Sequence, residues 1–133
     1  MALAVVALFI LGASAQAHRR HHAPPKFAGL QSAVTCIPGP IGPGRASSYT
    51  LSWEPASDEV TPASRIVYEV YQATTARGEN FARPTYRTAP GATSFATPPL
   101  SSTESFFFVV RARDRAGRED ANRIERLGEN LCV

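Results

Sequence analysis

The chain has 133 residues, 44% hydrophobic and 19% charged, with 11 Pro, 9 Gly, two Cys and a formal net charge of +3. That length holds one domain, and the apolar content excludes a wholly disordered protein. Thirteen of the fourteen basic residues are Arg, scattered along the chain without the aromatic-plus-basic clusters that stack bases, so nucleic acid is not an expected partner.

Residues 1–17 (MALAVVALFILGASAQA) contain fourteen apolar residues and no charge. The run at 2–11 is too short to span a bilayer, which takes about 20 helical residues. Ala15 and Ala17 form the A-x-A pattern that signal peptidases read, so 1–17 is expected to be a signal peptide cleaved after Ala17. No basic residue precedes the apolar run, which leaves an uncleaved anchor or a buried N-terminal segment as alternatives. The protein is therefore expected to be secreted or held in the cell envelope, with no stable membrane anchor after cleavage. Residues 18–26 follow as a basic arm (HRRHHAPPK), expected to be a disordered, solvated linker ending in a stiff Pro-Pro. Its three His residues, His18, His21 and His22, also suit loose metal binding or contact with an acidic surface.

From Phe27 onward, short blocks of alternating apolar and polar residues are separated by Pro, Gly, Ser and Asp clusters. The predicted strands are 30–36, 46–53, 65–73, 83–88, 92–97, 105–113 and 121–127. Period 2 with regularly spaced turn signals, and no capped 3.6-residue stripe, predicts antiparallel sheets. Seven blocks in about 105 residues is the spacing of one β-sandwich. The alternation assigns Tyr49, Leu51, Trp53, Tyr68, Val70, Phe106, Phe108 and Val110 to the core. Their neighbours Val67, Glu69, Tyr71, Phe107, Val109, Arg111 and Arg113 are assigned to the opposite face.

The segments Leu51-Ser52-Trp53-Glu54-Pro55-Ala56, Tyr68-Glu69-Val70-Tyr71, and Leu100 followed by Phe106 to Asp114 (FFFVVRARD) resemble strands B, C and F of a fibronectin type III domain. SWEPASDEVTPASRIVYEVYQA and VVRARDRAGREDAN resemble in particular the versions found in secreted bacterial proteins. The resemblance covers about 27–131 and implies an all-β fold: a seven-stranded antiparallel immunoglobulin-like sandwich over 27–133. One position departs from that family: Phe106 stands where Tyr ties its hydroxyl back to the corner before strand F, which predicts a loss of about 0.5–1.5 kcal/mol, the scale of one hydrogen bond.

Two cysteines in an exported chain favour a disulfide. In a sandwich of this type, Cys36–Cys132 would fasten the N-terminal strand to the C-terminal tail. The alternative, a redox pair or metal site, lacks a CxxC and a nearby His. No His lies within the predicted fold to serve as general base for a Ser or Cys nucleophile. Asp58-Glu59, Asp114 and Glu119-Asp120 sit in turn-like sequence, where capping is the expected role; acid–base pairing or calcium binding are the alternatives. Arg77-Gly78-Glu79 reads as a turn. No enzyme activity, metal or cofactor is expected.

In the fibronectin type III family, strands C and F are neighbours. The resemblance therefore implies a shared outer surface of Val67, Tyr71, Phe107, Val109 and Arg111, an apolar patch with a charged rim. The competing expectation is that Arg111 and Arg113 lay their stems over Phe107 and leave little patch. The function this implies is a non-enzymatic interaction or adhesion module whose partner is another exported protein or an envelope polysaccharide. A structural spacer from a larger surface protein or secreted hydrolase is the alternative.

Overall fold

The computed structural model describes residues 22–132. The expected signal peptide and the first part of the arm, with His18 and His21, lie outside those residues. The fold is all-β. Strands β1 (Ser32–Thr35), β2 (Ala46–Ser47), β3 (Thr50–Ser52), β4 (Val67–Ala73), β5 (Tyr86–Arg87), β6 (Ser94–Ala96), β7 (Leu100–Ser101), β8 (Phe107–Arg113), β9 (Arg126–Leu127) and β10 (Glu129–Asn130) are joined by loops and one 3-10 turn, Ala63–Arg65. They form two four-stranded sheets, β10-β1-β3-β6 and β5-β4-β8-β9, and a two-stranded ribbon, β2-β7.

The sheets meet through one apolar core. Rows such as Ala33–Leu51–Phe95 in the first sheet and Tyr86–Val70–Val110 in the second are set by cross-strand register. Aromatic pairs bridge the gap: Trp53 lies 5.1 Å from Tyr68, Tyr86 5.2 Å from Phe95, and Tyr49 5.6 Å from Phe108, centroid to centroid. All eight residues assigned inward by alternation are buried in this core. The polar tips of Trp53 and Tyr68 find partners, as buried polar groups must. Trp53 Nε1 donates to the Ala92 carbonyl at 3.0 Å, and the Ala56 N–H donates to Tyr68 Oη at 2.7 Å.

Several predicted blocks are divided differently. The block 46–53 breaks at Ser48-Tyr49, and its first half joins β7 in the ribbon, while its second half enters the first sheet. Block 83–88 is strand only at Tyr86–Arg87, flanked by the Thr85 and Thr88 N–H groups, which donate to the Val70 and Tyr68 carbonyls; before them, Pro84 has no N–H to give to a ladder. Block 121–127 shortens to β9, and the chain then changes sheet at Gly128, so that β10 runs parallel to β1. The expectation of purely antiparallel pairing is corrected there. Gly128 makes this crossing against the ring of Tyr49, where a Cβ would collide with Cδ1 and Cε1.

The ends are closely tied. Asn130 Oδ1 accepts the Ile37 N–H at 2.8 Å, and its Nδ2 donates to the Ile37 carbonyl at 3.2 Å. Cys36 and Cys132, one residue past β1 and two past β10, are disulfide-bonded. The last residues of the expected linker are held as well. Lys26 pairs with Ser57, and Arg118 Nη1 donates to the His22 carbonyl at 2.5 Å.

Candidate functional site

The sequence directs attention to the outer face of β4 and β8. Register places Val67 beside Arg113, Glu69 beside Arg111, Tyr71 beside Val109 and Ala73 beside Phe107. These residues share one face, as the alternation predicts. Their exposure is another matter: Tyr71 and Val109 are each 1% exposed, and Arg111 is buried. Val67 and Phe107 are half-buried. The expected open patch is therefore corrected; most of it is a second, smaller interior.

Two loops make that cover, residues 74–85 between β4 and β5 and residues 114–125 between β8 and β9. From the first, the Phe81 ring rests 5.1 Å from the Tyr71 ring. The Arg111 guanidinium lies 3.7 Å from the Phe81 centroid, with that of Arg123 at 5.2 Å, a cation–π arrangement. From the second loop, the Asn122 carbonyl accepts from Arg111 Nε at 2.9 Å, and Glu119 Oε1 lies 2.5 Å from the Tyr71 hydroxyl. The face is thus closed differently from the competing expectation of Arg111 and Arg113 lying over Phe107: Arg111 is buried against Phe81, and Arg113 pairs with Glu69.

Beneath the cover lies a charge network. Glu69, 1% exposed, receives Arg87 Nη2 at 2.6 Å and Arg113 Nη1 at 3.1 Å on one carboxylate oxygen. Its other oxygen lies 3.1 Å from the Tyr71 hydroxyl. A buried carboxylate is tolerable only with such pairing. Burial, then the hydrogen bond and charge of Glu119 and the charge of Glu69, push the Tyr71 hydroxyl well above its ordinary value. Glu119 is itself pushed up, first by burial. Tyr71, expected at a contact surface, is the hub of this internal network.

Asp58, Asp114 and Asp120 are turn residues. Asp58 Oδ2 accepts the Thr61 N–H at 2.8 Å and the Val60 N–H at 3.2 Å, and the Thr61 bond above all holds its carboxyl below the usual range. Asp114 pairs with Arg118 at 2.9 Å and accepts the Arg118 N–H. Asp120 accepts the buried Ala112 N–H at 2.6 Å and also holds Asn122. Among the described residues, no three His, Cys, Asp or Glu side chains gather as metal ligands.

The described residues also leave openings. A shallow cleft of about 210 Å³ lies between Ala23, Pro24 and Lys26 and the Ser57–Glu59 turn. A smaller cavity of about 100 Å³ sits over Val109, lined by Arg77, Glu79, Phe81, Arg123 and Glu125. Beside it, one apolar row stays open. Ala73, Phe107 and Leu127 are in register across β4, β8 and β9, and Leu127 is 49% exposed. Periodicity alone gives Leu127 no partner strand; the pairing with Phe107 is what gives it a place on this face.

Among the described residues, no helix is long and apolar enough to cross a membrane. No family model matches the chain, and neither does any curated protein or solved structure.

Proposed function

We propose that this chain is a non-enzymatic interaction module of fibronectin type III-like fold that works outside the cytoplasm and meets its partner through the row Ala73–Phe107–Leu127. The observation that carries this reading is the contrast on one sheet face. Most of it is sealed by the chain's own loops, while this apolar row is left open at the end where β9 completes the sheet. Apolar side chains aligned in register, with Leu127 exposed at the edge, make the kind of apolar centre that contact surfaces use. The Cys36–Cys132 bond supports an oxidising compartment, in keeping with the A-x-A leader. Of the carboxylates that the sequence offers as catalysts, Asp58, Asp114 and Asp120 are taken up by loop backbone and Arg118, and Glu119 by Tyr71, which supports a binding role.

The partner expected is an exported protein or an envelope polysaccharide. Co-sedimentation with cell-envelope fractions and insoluble polysaccharides tests this, wild type beside a Phe107→Ser/Leu127→Ser double variant. Retention of the wild type and its loss in a folded double variant is the expected result. The second reading, a spacer, is favoured by the closure of the rest of the face; no retention of the wild type in any fraction would establish it over the first.

A further inference from the structure

The small cavity over Val109 is where the two covering loops meet, and two carboxyl groups face each other there. Glu79, from the 74–85 loop, and Glu125, from the end of the 114–125 loop, line the cavity together. Two ionised carboxylates can only accept hydrogen bonds, so side by side at one small cavity they repel, and a proton on one of them lets the pair bond. Glu79 Oε1 is shut off from solvent and has no hydrogen-bond partner, a position far less costly for a neutral acid than for an anion.

The surrounding charges do not relieve it. Arg77 and Arg123 line the same cavity, but among the described residues neither pairs with Glu79 or Glu125. The Arg123 guanidinium lies over the Phe81 ring, as does that of Arg111 from β8. Glu69 and Glu119, farther along the face, are engaged with Tyr71. Glu125 also holds the loop backbone: its Oε2 accepts the Arg77 N–H at 2.6 Å. Arg77 is the one described non-glycine residue with positive φ, +58°, a left-handed conformation that persists only where surrounding contacts enforce it.

We propose that Glu79 and Glu125 form an acid-closed latch, in which one shared proton fastens the 74–85 loop over Val109 and its loss releases the Arg77–Glu79 segment. Burial first, and then Glu125, push the Glu79 carboxyl up to about 7, so the proton leaves near neutrality. Once both groups are ionised they repel at close range, Glu125 loses its hold on the Arg77 N–H, and Arg77 can return to an ordinary backbone conformation. The cavity over Val109 then opens toward solvent beside Phe107 and Leu127. The latch does not depend on whether that row binds a partner.

Amide hydrogen exchange at Arg77 in the oxidised protein, corrected for base catalysis, tests the latch between pH 5.5 and 8.5. Protection should fall about tenfold or more across a midpoint near 7 in the wild type. In Glu79→Gln the side-chain amide donates to Glu125 at every pH, so protection should stay level; Glu125→Gln, which can donate to Glu79 and still accept from Arg77, should do the same. Constant protection in the wild type would overturn the proposal. So would an equal fall in both Gln variants, which would assign the titration to another group such as Glu119.

Discussion

The Trp53 ring fills the middle of the core against Tyr68, and its one polar atom is bonded to the Ala92 carbonyl. Truncation removes the ring and orphans that acceptor. Trp53→Ala should therefore lower stability by about 3–5 kcal/mol, read as a reduced midpoint in chemical denaturation. Asp120 presents a different demand. Its carboxylate receives the buried Ala112 N–H and holds Asn122, whose Nδ2 also donates to the Val110 carbonyl. Asp120→Ala leaves that N–H unpaired and should cost about 1–3 kcal/mol, with faster amide exchange at Ala112 as its local sign. Both residues were visible in the sequence, Trp53 as an inward position and Asp120 as a turn aspartate. The amide that Asp120 serves, eight residues back on β8, was not, because it depends on how the following loop folds over the strand.

At the scale of elements, β4 and β8 are buried on both faces in mid-strand, although the sequence assigns one face of each to an open outer surface. Alternation reports which residues share a face and says nothing about what covers that face. Glu69, Tyr71, Val109 and Arg111 are covered by the 74–85 and 114–125 loops, through Phe81, Glu119 and Asn122. The Glu79–Glu125 contact between those loops has a consequence for stability. The Glu79 carboxyl is raised in the folded protein, so between its ordinary value near 4.5 and about 7 the folded state holds a proton that the unfolded chain has released. Stability then falls as pH rises through that window. The thermal midpoint should accordingly drop from pH 5 to pH 8 in the wild type, and drop less in Glu79→Gln.

For the molecule as a whole, the closure of the two chain ends is the dominant constraint. Cys36 and Cys132 are 96 residues apart in sequence. Linking them restricts the unfolded chain, by about 4–5 kcal/mol on the chain-entropy account. Reduction should lower the denaturation midpoint correspondingly while leaving the two-sheet core able to form, because Asn130 and the Leu131 N–H still bond to Ile37 and Thr35. Loss of all sheet structure on reduction, measured by circular dichroism, would contradict this.

The all-β class and the eight core positions were determined by local sequence, since period-2 alternation and turn residues act over a few residues at a time, and the cysteine pair by composition, since a chain with two cysteines has one possible pairing. The change of sheet at Gly128, the parallel pairing of β10 with β1, and the closing of the outer face were decided only in three dimensions. Each depends on residues far apart in the chain meeting: Gly128 with Tyr49, Phe81 with Tyr71 and Arg111, Glu79 with Glu125. A face left open by strand periodicity is sealed or exposed by the loops that land on it, and those loops carry no periodic signal.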